Sequence, residues 1–288
     1  MGQTAIMTDT NSGISAADAR ERNIFMIPMP VLVDGATYFE GQDIDHGRLF
    51  EMMKADADVS TSQPSPGIVL DMWENILKEY DELVYIPMSS GLSGSCETAR
   101  ALSADFGGRV RVADTHRISV TMKDCVYDAV KLANDGLSAD EITAALEENA
   151  YNSVVYLGVD TLKYFRKNGR VTAGAAALAT VLNIKPILIT EGAKFDTFAK
   201  VRGIKACKER IIEAARAEFG SRFAPFPEDE INVSTAGSFE TDEESEEWRT
   251  QVEAAFPGHR VIYDKLSCSI ACHTGIGAIG LAMSRICR

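Results

Sequence analysis

The chain reads as an α/β protein of two domains, the first built on a doubly wound parallel sheet. Three observations predict this. Short apolar, strand-like runs alternate with helix-period segments through residue 150, the pattern of successive βαβ units. Polar turns follow the strands at Asp9–Gly13, Thr61–Pro64 and Ser89–Ser95. With 288 residues the chain is long enough for two cores.

Taken in order, Ala5–Met7 predicts a first strand that runs into a polar turn, with a helix over Ala16–Asn23. Ile24–Ile27 is the next strand, broken by Pro28 and Pro30. Val31–Val33 and Thr37–Phe39 flank Asp34-Gly35, a hairpin signal. Asp45 caps a helix through Met53, and Ser65–Glu79 is a second helix. Leu83–Ile86 is a strand that breaks into Ser89-Ser90-Gly91-Leu92-Ser93-Gly94-Ser95. The chain then resumes as a helix with Cys96, Ala99 and Leu102 at helical spacing. Val110–Ala113 is a strand, Ile118–Asn134 a helix, and Ser138 with Glu141 a capping box for a helix to Ala150.

The second half is expected to add strands at Val154–Val159, Ile231–Thr235 and Val261–Lys265. Ile184–Thr190 and Phe195–Val201 form a hairpin about Glu191-Gly192. Helices are expected at Thr161–Lys167, Lys205–Phe219 and Asp242–Ala255. Cys268–Cys272 reads as a last strand, and Thr274–Ile286 as a glycine turn followed by a helix. The domains are expected to be residues 1–157 and 158–288.

Composition narrows the function classes. Lys plus Arg total 29 against 42 Asp plus Glu, a net charge of −13. That balance argues against nucleic acid, whose phosphates need a basic surface, and against anionic membranes. No apolar run approaches a membrane span, so no membrane insertion is expected. The N-terminal residues lack the basic-then-apolar pattern of a signal peptide. The six cysteines then read as free thiols in a reducing cytoplasm.

A strand, a hydroxyl- and glycine-rich turn and a helix start make an anion site. The first helical N–H groups are unpaired, and the helix dipole is positive there. The turn at Ser89–Ser95 has this form, although helix capping alone also explains its serines. Gly275, Gly277 and Gly280 spell a weak G-x-G-x-x-G match, but only eight residues follow, too few for a βαβ unit and its ribose-binding acid, so a glycine turn that closes over a ligand is expected rather than a dinucleotide site. His273 precedes those glycines. On a strand it would point away from Cys268 and Cys272, which counts against a metal site; a donor imidazole suits a carboxylate or phosphate. Lys163, Arg166, Lys167, Arg170, Lys185, Lys200, Arg202 and Lys205 form either a solvated face or a basic rim. Gly91-Leu92-Ser93-Gly94-Ser95 approximates a nucleophile elbow with the second glycine one place early. An acyl hydrolase or transferase using Ser93 and His273 is therefore the alternative reading.

Several pieces in this order resemble the DegV family of bacterial fatty-acid-binding proteins. They are Thr8-Asp9-Thr10, Thr61-Ser62-Gln63-Pro64, Ser89-Ser90-Gly91-Leu92-Ser93-Gly94 and Gly158-Val159-Asp160-Thr161-Leu162-Lys163-Tyr164. Lys167-Asn168-Gly169-Arg170-Val171, Asn183-Ile184-Lys185-Pro186-Ile187, Lys200-Val201-Arg202-Gly203 and His273-Thr274-Gly275 complete the match. Thr10 stands where Ser is common in the family, and Ile276 where Pro is common.

The resemblance implies a two-domain DegV-like fold holding a long-chain fatty acid, such as palmitate, stearate or oleate, in an apolar tunnel between the domains. It places the carboxylate at Thr61 and Ser93, with Ser62, Gly94, His273 and Arg170 nearby. Arg202 and Lys167 would face a partner or a phosphate. Family members of the fatty acid kinase type present the acid to a separate ATP-dependent kinase subunit, which forms an acyl phosphate. On that reading the protein is a non-catalytic, cytoplasmic binder without cofactor or metal, a monomer by default. The energetics suit it: burying about 16 carbons offers on the order of 12 kcal/mol before ordering costs, so few polar contacts are needed. The small residues of Thr172–Leu182 serve either to line the tunnel or to pack helices closely.

Overall fold

The computed structural model describes residues 3–177 and 183–288. The first half runs β1 (Thr4–Asp9), α1 (Ala16–Glu21), β2 (Ile24–Ile27), β3 (Pro30–Val33), β4 (Ala36–Phe39), α2 (His46–Lys54) and β5 (Val59–Thr61). It continues with α3 (Pro66–Ile76), β6 (Glu82–Ile86), α4 (Ser95–Ser103), β7 (Val110–Val112), α5 (Ser119–Asn134) and α6 (Ala139–Glu148). The second half comprises β8 (Ser153–Gly158), α7 (Lys163–Asn168), α8 (Ala173–Ala176), β9 (Ile184–Thr190), β10 (Asp196–Arg202) and α9 (Gly203–Phe219). After it come β11 (Ile231–Gly237), α10 (Asp242–Ala255), β12 (Ile262–Lys265), α11 (Cys268–Thr274) and β13 (Ile279–Arg285).

The first sheet is parallel, in the order β2-β1-β6-β7. Its period-two alternation feeds two cores. Ala5, Met7, Leu83 and Tyr85 pack with Val69, Trp73 and Cys96 of α3 and α4. Ile6, Val84 and Ile86 pack on the other face with Val126, Ile142 and Leu146 of α5 and α6. The sheet is therefore doubly wound, and its turns beyond β1 and β6 open at the carboxyl ends, where such folds place ligands. A small antiparallel sheet, β4-β3-β5, is inserted beside it. Asp34 and Gly35 both have positive φ (48° and 82°), as a two-residue hairpin turn requires. Pairing of Val31 with Thr61 fixes the end of β5, and so fixes Thr61 itself.

The second sheet is mixed, β10-β9-β8-β13-β11-β12, with only the β11–β12 pair parallel. One face, bearing Tyr156, Ile187, Leu281 and Met283, packs on α9 and α10. The other bears Leu157, Leu188, Ala236 and Ala282 and packs with Leu92, Ile118 and Val120 from the first half.

Two expectations are corrected. Cys268–Cys272 is helical: Ser267 Oγ accepts the Ile270 N–H at 3.3 Å and caps α11. A five-residue apolar run has no period that distinguishes strand from helix. The segment after the glycines is a strand, because β13 gains partners on both edges, β8 and β11, and long-range pairing overrides local helical spacing. Among the described strands β8 pairs only within the second sheet, with β13 and β9. Of the alanine-rich stretch, Ala173–Ala176 forms α8, and residues 178–182 lie outside the described residues.

Candidate ligand-binding site

The turns after β1, β5 and β6 meet α11 around one cavity. Asp9 organises the first of them. Its carboxylate is buried and accepts the Asn11 N–H and the Met88 N–H, both at 2.9 Å, which ties the β1 turn to the β6 turn. Burial pushes the Asp9 carboxyl up to about 6, and those two N–H groups oppose the rise. The turn after β6 is held from the second sheet. Ser89 Oγ donates to the Gly192 carbonyl in the β9–β10 turn. A Cβ on Gly91 would stand 2.3 Å from that same carbonyl oxygen, so only glycine permits the approach.

The resulting cavity, about 50 Å³, is lined by Thr61, Ser62, Ser93, Arg170 and His273 together with Asn11 and several apolar residues. Five of the six expected ligand-binding residues therefore converge. Gly94 is not in the wall. It stands at the start of α4, where a Cβ would sit 3.4 Å from Gln63 Oε1, so it leaves room for Gln63, which does line the cavity. Ser93 Oγ accepts the Ser95 N–H at 3.2 Å and shares a 2.7 Å hydrogen bond with Ser95 Oγ, just ahead of α4.

Thr61 Oγ1 and His273 Nε2 are 2.9 Å apart. Burial holds the imidazole pKa down to about 3, with Arg170 adding to the effect, so the ring is neutral. Among the described residues, His273 Nδ1 is buried with no hydrogen-bond partner, and so is Asn11 Nδ2. Asn11 Oδ1 is held by Ser267 Oγ at 3.3 Å and by Ser269 Oγ, which orients the amide. Arg170 is the permanently charged group among the described lining residues; Nε and Nη1 donate to the carbonyls of Leu92 and Asn168. The wall thus offers one cation and two unpaired buried polar atoms to a ligand. Asn11 and Ser269 were not anticipated as site residues, although Asn11 lies in the first polar turn.

The remaining expectations divide. Lys167 is engaged, donating to the Val59 carbonyl at 3.1 Å and pairing with Asp58. Lys163 and Lys185 pair with Asp56 and Asp160, so much of the basic rim is neutralised. Arg202 is exposed at the end of β10. Ser93 and His273 bond to different groups, so the hydrolase arrangement of nucleophile and base is not formed. Glu40, His46 and Cys268 bring potential metal ligands within 4.8 Å of one another. Glu40 Oε1 already accepts the Cys268 N–H at 2.9 Å, and His46 Nε2 is 2.5 Å from the Leu266 carbonyl, so these groups serve the entry to α11. Among the described residues no helix is long and apolar enough to cross a membrane.

Known proteins match over nearly the whole chain. A family model described as "Uncharacterised protein, DegV family" matches residues 3–285. A DegV domain-containing protein of Deinococcus radiodurans is 30% identical over 286 residues, 97% of each chain. A fatty-acid-binding DegV family protein of Thermus thermophilus superposes with a TM-score of 0.88 at 28% identity, over 98% of this chain and 99% of that one. DegV of Bacillus subtilis, described as a fatty acid binding protein, gives 0.85 at 25% identity over 99% and 100%. The protein described here belongs to the DegV family.

Proposed function

We propose that the protein binds a long-chain fatty acid, with the carboxylate in the Thr61–His273 cavity and the acyl chain running along the apolar face of the second sheet. The observation that carries this reading is the pair of unpaired buried atoms, Asn11 Nδ2 and His273 Nδ1, in a wall that also holds Arg170. Buried polar atoms are rarely left unpaired, and a carboxylate would satisfy both beside a cation. With Thr61 donating to Nε2, the proton of the neutral ring sits on Nδ1 as a donor. The relatives from Thermus thermophilus and Bacillus subtilis, both described as fatty-acid binders, support the ligand class.

The fatty acid kinase type of the family gives the finer reading, in which the bound acid is presented to a separate ATP-dependent kinase subunit. Arg202, exposed on β10, is then the candidate contact with that subunit. Titration with oleate tests the binding: saturation near one equivalent is expected, weakened by Asn11→Ala and by Arg170→Ala. No uptake of oleate by the delipidated, folded protein would overturn the proposal. Acyl phosphate formation with ATP and the kinase subunit, reduced by Arg202→Glu, tests the second step.

A further inference from the structure

Asn11 is held from both halves of the chain. Its main-chain N–H donates to Asp9 Oδ1 in the β1 turn, and its side-chain Oδ1 meets the hydroxyls of Ser267 and Ser269 at the start of α11. We infer that Ser269 is a positioning residue, which with Ser267 turns the Asn11 amide so that Nδ2 faces the cavity. The site thereby selects a carboxylate over the neutral amide of the same acyl chain. The inference rests on the fatty-acid reading above and adds what sets the polarity of the head-group wall.

The two ends of an asparagine amide have nearly the same shape, so its neighbours decide which end points where. Ser267 Oγ accepts the Ile270 N–H at 3.3 Å as the cap of α11. Its own proton goes either to Asn11 Oδ1 at 3.3 Å or to Ser269 Oγ at 3.2 Å. On either route Ser269 gives its proton to Oδ1. All three side chains are buried, so water does not take over these bonds. Turning the amide over would strip the serine protons of their acceptor and set Oδ1 against the carboxylate of the ligand.

His273 follows the same rule. It lies four residues after Ser269, on the same face of α11. Thr61 Oγ1 is 2.9 Å from Nε2, and a hydroxyl donating there leaves the ring proton on Nδ1. Among the described residues, the unpaired buried side-chain atoms of the wall are then both donors, and Arg170 adds positive charge. A carboxylate has two accepting oxygens and no proton, so it meets this set without conflict. A carboxamide sets an NH₂ group where one oxygen would lie, donor against donor, and brings no charge to Arg170. Sites that leave a buried polar group unpaired reject near-isosteres for this reason.

The test is the ratio of affinities for oleate and oleamide, at a pH where the acid is ionised, in the wild type, Ser269→Ala and Ser269→Thr. The wild type should prefer oleate by about 100-fold or more. Ser269→Ala frees the amide to rotate, so oleate should weaken about 10-fold while oleamide does not. Ser269→Thr keeps the hydroxyl and should restore the ratio. A merely structural role would weaken both ligands equally, so an unchanged ratio in folded Ser269→Ala would overturn the inference. Asn11→Asp replaces Nδ2 by an oxygen and decides the matter without touching α11. It should weaken oleate far more than oleamide, and equal losses would contradict the assignment. A wild type that binds oleate and oleamide equally would also overturn it while leaving acyl-chain binding intact. A wild type that binds neither would instead remove the underlying reading.

Discussion

Thr61 and His273, 212 residues apart in sequence, share a 2.9 Å hydrogen bond across the junction of the small inserted sheet and α11. It joins two halves of the chain at the head-group cavity. Thr61→Val keeps the shape and removes the hydroxyl, leaving both ring nitrogens of a buried imidazole unpaired. The expected cost is about 1–3 kcal/mol in urea unfolding, with Thr61→Ser close to wild type. Oleate affinity should fall with it.

Gly91 touches the β9–β10 turn. Gly91→Ala places a methyl against the Gly192 carbonyl, where backbone must shift on one side or the other. Overpacking of this kind costs about 1–3 kcal/mol. Because the same turn carries Ser93, the variant should lose both thermal stability and oleate affinity. Gly35→Ala, whose Cβ meets nothing within 4 Å, should lose stability alone through its positive φ.

Lys123 of α5 and Asp264 of β12 form an interlobe ion pair, Nζ lying 2.9 Å from both carboxylate oxygens, with 10% and 14% of the side chains exposed. Lys123→Met strands the carboxylate, and about 3–5 kcal/mol of stability should be lost. The double variant Lys123→Met/Asp264→Leu should recover much of it, which a double-mutant cycle by chemical denaturation will show.

Two buried groups set opposing pH dependences. The His273 pKa is depressed from 6.5 to about 3 in the folded protein, so its contribution is present above about 6.5 and lost as pH falls toward 3. The Asp9 pKa is raised from 3.8 to about 6, so its contribution is present below about 3.8 and lost as pH rises through 6. Between pH 4 and 6 the two oppose each other. Asp9→Asn should remove one of the buried carboxyls that oppose the histidine, Asp128, pushed up to about 7, being another, and its stability should rise more steeply with pH in that window than the wild type's, as denaturation at several pH values will measure.

Much of the first half was legible because its signals are local. Asp34-Gly35, the Asp45 cap and the Ser138–Glu141 capping box each act within a few residues, and each is found where expected. Thr61 and Ser93 could be singled out because the pieces that hold them, Thr61-Ser62-Gln63-Pro64 and Ser89-Ser90-Gly91-Leu92-Ser93-Gly94, resemble the DegV family; hydroxyl-rich turns by themselves are equally explained by helix capping. The misreadings come from distance. Whether Ile279–Arg285 is helix or strand depends on β8 and β11, which lie far off in sequence. Asn11 becomes a site residue only through Ser267 and Ser269. Phe195 lines the cavity only because the fold brings Ile118 and Ile270 beside it. No spacing rule connects such residues.

Mass spectrometry of an organic extract, made from protein purified without added lipid, tests the central claim most directly. The expected result is about one long-chain fatty acid per chain, lost in Asn11→Ala/Arg170→Ala protein that remains folded. A lipid-free extract from protein that also takes up no added stearate or oleate would contradict it.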